Sequence, residues 1–119
     1  MAQSFEDLEI WKRSCRLAVD LCKALADSRN LGLKDQIQRA AVSVPSNIAE
    51  GKERDSQKEF VRFLRIAKAS NAELRTQLYI GKELALLPPA QASHFITETK
   101  QLSKMIQAMI NTINATIKQ

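Results

Sequence analysis

Residues 56–89 read SQKEFVRFLRIAKASNAELRTQLYIGKELALLPP. The stretch opens on Ser56-Gln57-Lys58-Glu59, the pattern of a capping box. There the serine hydroxyl accepts from a backbone N–H three residues on, and the glutamate side chain returns to the serine N–H. Behind it Phe60, Leu64, Ala67, Asn71, Leu74, Leu78, Gly81 and Ala85 recur at spacings that place them on one face of an α-helix. Pro88-Pro89 stops the pattern, because a proline disfavours the helical conformation of the residue before it. The spacing predicts a helix ending near Leu87, roughly 31 residues and about 46 Å long.

The same period recurs on both sides. From about Phe5 to Asp27, the residues Leu8, Trp11, Cys15, Ala18, Cys22 and Leu25 form a stripe, with Ser4 as N-cap and Glu6, Asp7 and Glu9 at the positive end of the dipole. Asn30 to Gly32 breaks it. From about Leu33 to Glu50, Leu33, Ile37, Ala40, Ala41, Val44 and Ile48 share a face. Because the period continues across Pro45, a kink is expected there rather than a stop, with Gly51 as C-cap. From about Ala90 to Ile117 the stripe is Ala92, Phe95, Thr99, Leu102, Ile106, Met109, Ile113 and Ile117, with Pro89 suited to the first helical position.

A chain of 119 residues with 45% hydrophobic and 26% charged residues, three Gly and three Pro suits one domain of long helices, spanning residues 1–119. Short breaks make sequential helices antiparallel. The expected fold is all-α, an antiparallel up-down four-helix bundle. Helical hairpins paired in a dimer would use the same pattern. Cys15 and Cys22, seven residues apart on a helix and so about 10.5 Å, are too distant for a disulfide with each other. They are expected as buried reduced thiols. No apolar run approaches a membrane span, and a cytoplasmic protein is expected.

Enzyme chemistry finds little support. A di-iron bundle needs Glu-x-x-His pairs, but His94 is the only histidine and Gln91 stands three before it. Two cysteines and one distant histidine do not supply a zinc site, and there is no phosphate-binding glycine loop or nucleophile elbow. No cofactor or metal is expected. His94 is expected at the surface.

The net charge of +5 favours acidic partners, nucleic acid first. Lys58, Arg62 and Arg65 follow a helical spacing on the third segment, Lys68, Arg75 and Lys82 repeat at sevens on an adjoining flank, and Lys12, Arg13 and Arg16 cluster on the first. Singly, each is slightly better read as a solvated charge near acids such as Asp55, Glu59 and Glu83. Together they suggest a phosphate-facing surface. With Trp11, Phe60, Phe63 and Phe95 expected in the core or an interface, contacts to the backbone of RNA or DNA are expected, with little base stacking.

The run from Gln38 to Gly51, QRAAVSVPSNIAEG, resembles the bacterial proteins encoded within intervening sequences of 23S ribosomal RNA genes. Accessory proteins of diversity-generating retroelements are similar. The resemblance continues through Glu59-Phe60, Phe63-Leu64, Ile66-Ala67, Glu73-Leu74 and Thr76-Gln77-Leu78, and Phe5, Leu8 and Trp11 suit the family's opening. It implies a four-helix bundle assembling as a five-fold ring with a basic surface, and, from the retroelement relatives, binding to nucleic acid and a reverse transcriptase. Three positions depart from the family's pattern: Gln38 where a basic residue is common, Asn71 where leucine is usual, and Arg75 where an acid is usual. The polar residues Arg39, Asn47, Glu50, Glu73 and Gln77 are read as a network that fixes helix register and caps the kink at Pro45. A ligand or catalytic pocket is the other reading of Asn47, Glu50, Glu73 and Gln77.

The resulting expectation is an oligomeric nucleic-acid-binding accessory protein. Its rival is an interaction scaffold that docks a reverse transcriptase or a ribosome-associated partner; a hydrolase is a distant third. Ile10, Leu17 and Leu21 beside the first stripe, and Ile96 and Ile110 beside the last, are read as surplus apolar surface that a subunit interface would cover. The resemblance favours a pentamer; geometry alone allows a dimer.

Overall fold

The computed structural model describes residues 3–118. Among them a 3-10 turn, Phe5–Asp7, precedes four α-helices: α1 Glu9–Ala24, α2 Leu31–Lys52, α3 Gln57–Glu83 and α4 Pro89–Ile117. They form the antiparallel up-down bundle expected. It measures 50 × 20 × 19 Å, with α2 against α3 the most extensive packing and α1 against α4 the slightest. No helix of the described residues is long and apolar enough to cross a membrane.

Ser4 caps, but it caps the 3-10 turn, with Asp7 closing its box; α1 starts only after Leu8, which is extended. The face that α1 buries is rotated from the expected one. Ile10, Ser14, Leu17, Ala18 and Leu21 are buried, while Trp11, Cys15 and Cys22 are half-exposed, the first two lining a groove with α2. Two apolar stripes share α1, and period alone does not rank them. The described Ile10, Leu17, Leu21, Ile96 and Ile110 lie within this chain's own core, so they are not the surplus surface that was expected to need a second subunit.

Helix α2 begins at Asn30, whose Oδ1 accepts from Leu33 N at 3.2 Å. It runs on through the buried Pro45 as expected, but also through Gly51, which is no C-cap. Gly51 is instead buried where α2 meets α3: a Cβ there would stand 2.5 Å from Phe63 Cβ. At Ser56 half of the capping box forms. Its Oγ accepts from Glu59 N at 3.2 Å, while Glu59 turns its carboxylate to Arg62, at 2.9 and 3.2 Å.

Helix α3 ends at Glu83, four residues before the expected stop at Leu87. Leu86 N donates to Gly81 O and Ala85 N to Lys82 O, at 2.8 and 3.1 Å, with Ala85 left-handed at φ 54°. This is a Schellman stop, usually built on glycine. Leu86 folds back over Gly81, and Leu87 is buried outside any helix. The prolines then start α4, with Pro89 at its first position. Met109 and Ile113 of the expected α4 stripe are only half-buried, and Ile110 takes the core position.

Two apolar clusters fill the bundle. One holds Leu17, Leu21, Leu25, Ile37, Leu74, Leu78, Phe95 and Leu102; the other holds Ile10, Val44, Ile48, Phe60, Leu64, Ile106 and Ile110. On α1 and α3, the buried Ser14 and Asn71 fall between them. Asn71 Nδ2 donates to Thr99 O of α4 at 2.7 Å, while its Oδ1 has no partner.

Candidate nucleic-acid interface

Helices α3 and α4 run antiparallel with one register along their outer seam. Lys82 Nζ donates to Ser93 Oγ at 3.0 Å, and Lys68 Nζ to Gln107 Oε1 at 2.7 Å. The same register sets Arg75 opposite Lys100, midway between those two contacts. Arg75 leans into the waist of the bundle: Nε donates to Thr99 Oγ1 at 2.9 Å and Nη2 to Thr99 O at 3.2 Å. The seam therefore carries Lys68, Arg75, Lys82 and Lys100 along about 21 Å of helix. None of these is in an ion pair among the described residues. Helix α4 has one acidic residue, Glu98, and Arg13 of α1 takes it at 2.6 Å.

The other expected cations fall elsewhere. Lys58 and Arg65 are exposed on the outer face of α3 and unpaired among the described residues. Arg62 is exposed but doubly bonded to Glu59, which lowers the Glu59 carboxyl from its ordinary value and raises the Arg62 guanidinium. Its guanidinium also sits over the Phe63 ring, 4.6 Å from the centroid. On α1, Lys12 faces Glu9 at 4.0 Å and Arg16 faces Asp20 at 3.8 Å. Arg13 spends its charge on Glu98 and donates to Met105 Sδ at 3.3 Å. The α1 cluster is thus neutralised locally and lies across α4 from the α3 row.

Of the polar network read from the sequence, one piece spans helices. Asn47 Nδ2 donates to Ser43 O and Ser43 Oγ, at 2.8 and 3.0 Å, and Ser43 shares a hydrogen bond with Ser70 of α3 at 2.9 Å. Arg39 instead bonds Asp35, and Glu50 bonds Arg54, each within a single turn. Arg39, Glu73 and Gln77 meet in an open groove between α2 and α3, with Gln36 and Thr76. His94 is exposed, as expected.

A family model of the 23S rRNA-intervening sequence protein matches residues 6–108. The chain belongs to that family. Among solved structures it is similar to a protein with unknown function from the S23 ribosomal protein family of Bacteroides thetaiotaomicron VPI-5482. The TM-score is 0.80 at 19% identity, over 85% of this chain and 97% of that one. At that identity the likeness speaks for the fold. No curated protein matches.

For this member of the 23S rRNA-intervening sequence protein family, the sequence reading missed Lys100 and Lys104. Both are exposed on α4. The available signal was the acid-poor composition of α4; what hid it was reading basic residues one helix at a time. The seam exists only because the α3/α4 register sets two helices' charges side by side.

Proposed function

We propose that the chain is a cytoplasmic nucleic-acid-binding accessory protein that grips the phosphate backbone along the α3/α4 seam. The observation that carries this is the row of Lys68, Arg75, Lys82 and Lys100 without a carboxylate partner. Arg13, Arg39, Arg54 and Arg62 already have acids, and Lys58 and Arg65, which have none among the described residues, stand on the outer face of α3 rather than along the seam. Phosphates reaching the seam would release counterions without first breaking an ion pair. The family's name, tied to ribosomal RNA, points to RNA. Aromatics are buried or half-buried apart from Tyr79, so stacking contributes little.

Assembly is the second part of the proposal. An apolar groove of about 380 Å³ opens between α1 and α2, lined chiefly by Trp11, Cys15, Val19, Val42, Pro45 and Ala49. Covering it with another copy would make a ring of the kind the family resemblance implies, multiplying the charge and adding avidity. The same groove is what a protein partner such as a reverse transcriptase would use in the scaffold reading.

Fluorescence anisotropy with unstructured RNA and duplex DNA, across a salt series, tests the seam. About four phosphate contacts predict a slope near −3 for log affinity against log salt on single strands. Lys68→Glu, Lys82→Glu and Lys100→Glu together should abolish binding with the fold intact by circular dichroism. Unchanged binding at low salt would reduce the seam to a solvated face.

A further inference from the structure

Helix α3 borders a second seam, with α2, and its chemistry differs. Gln36 and Arg39 of α2 and Glu73, Thr76 and Gln77 of α3 line an open groove of about 460 Å³. Gln77 is 8% exposed, yet its Oε1 has no hydrogen-bond partner. That oxygen is closed to solvent, so the side chain would have to turn outward to meet a donor brought by a ligand, and the hydrogen bond it now lacks favours the turn. Glu73 is exposed and in no ion pair among the described residues. Arg39 engages Asp35 through Nε at 2.8 Å, which leaves its terminal nitrogens to the groove.

A phosphate is the wrong ligand here, because Glu73 repels it. The groove asks for a group with adjacent N–H donors for a carboxylate, acceptors for a guanidinium and one more donor for an amide oxygen. Guanine has that pattern. Its N1–H and one N2–H match the two oxygens of Glu73, its second N2–H is left for Gln77, and its O6 and N7 accept from Arg39. Adenine and cytosine lack the adjacent pair of donors, and uracil sets its single N–H between two carbonyls. We propose that the α2/α3 groove takes the edge of an unpaired guanine, from a strand whose phosphates lie on the α3/α4 seam. The proposal rests on the phosphate-binding reading above, and the groove supplies the sequence preference that the seam lacks.

The test uses labelled oligouridine strands carrying one central guanine, inosine or adenine, at fixed salt. The guanine strand should bind about tenfold tighter than the adenine strand. Inosine, without the N2 amino group, should lose most of that preference. Glu73→Gln should erase it while leaving the salt slope unchanged; Gln77→Leu should weaken it while raising the urea midpoint, since the orphaned oxygen is removed. Equal affinity for guanine and adenine strands overturns the proposal even where binding and its salt slope persist. Guanosine itself, which has no phosphate, is titrated against ¹⁵N-labelled protein as an independent arm. Shifts confined to residues 36–39 and 73–77 support the groove, and their absence overturns it. Should no oligonucleotide bind, the phosphate reading falls and the guanosine titration alone decides the groove.

Discussion

Gly51 and Gly81 both sit in the last turn of a helix, still in helical conformation, where glycine costs stability, yet only one of them is required. A Cβ on Gly51 would meet Phe63 Cβ at 2.5 Å, and both residues are on rigid helix backbones. Gly51→Ala should therefore destabilise by about 1–3 kcal/mol. At Gly81 the nearest atom is a methyl of Leu86 at 3.4 Å, an ordinary contact. Gly81→Ala should be neutral or stabilising by up to about 1 kcal/mol, through helix propensity. Ala85 carries the opposite strain, a left-handed residue with a side chain. Ala85→Gly should stabilise by about 0.5–1 kcal/mol, the relief of that strain less the entropy cost of glycine. Urea denaturation midpoints check all three. Cys15 gives a chemical readout: burial pushes its thiol up from the ordinary value, so it should be alkylated more slowly than free cysteine at pH 8. Gly51 and Gly81 were visible in the sequence, but a close approach is a property of two helices, so neither role could be read from one.

At the scale of the element, α3 shows which local signals survive folding. Ser56 caps as the sequence suggested, because an N-cap needs only its own next turn. The stop did not follow the prolines, because Leu86 gains more by folding back over Gly81 than by extending the helix. Glu59 links this end to pH. Its carboxyl is lowered chiefly by the hydrogen bond from Arg62, so the stabilisation is present above the ordinary carboxylate value and is lost as pH falls through the lowered one. The stability difference between wild type and Glu59→Gln should shrink on acidification across that window, followed by urea melts at several pH values. Further along α3, Asn71 and Arg75 meet at the same carbonyl of Thr99. Asn71→Leu removes an orphaned Oδ1 and leaves that carbonyl its bond from Arg75. The change should stay within about 1 kcal/mol of wild type. A loss several times larger would show that the Asn71 contact holds the waist together.

For the whole molecule, the feature that bears on assembly is the apolar α1/α2 groove. Trp11 and Cys15 are half-exposed there, with Val19 and Val42 43% and 50% exposed, while Ile10, Leu17 and Leu21 are buried on the core side. The surplus apolar surface of α1 is real, but it lies on the stripe that the sequence reading assigned to the core. Light scattering at micromolar concentration should return an oligomer, and Val42→Glu should dissociate it without unfolding the bundle. A strict monomer would end the ring and leave the seam to bind as a single weak site. A dimer would change only the stoichiometry.

Helix number, helix type and the antiparallel order were determined by the sequence itself, because a period near 3.6, a capping serine and Pro88-Pro89 act over one or two turns. The QRAAVSVPSNIAEG run resembles the family to which the chain belongs, whose model matches residues 6–108. Other features depended on the tertiary structure. Which of two apolar stripes on α1 faces inward is settled by competition for one core, and the stop of α3 by a leucine that has somewhere to fold back. Five of the six ion pairs among the described residues are local, three or four residues apart, but the sixth depends on where an acid on another helix falls. Glu98 is 85 residues from Arg13 and silences it, while Lys100, two residues on, lies on the seam beside α3. Charge pairing at that range is set by packing register.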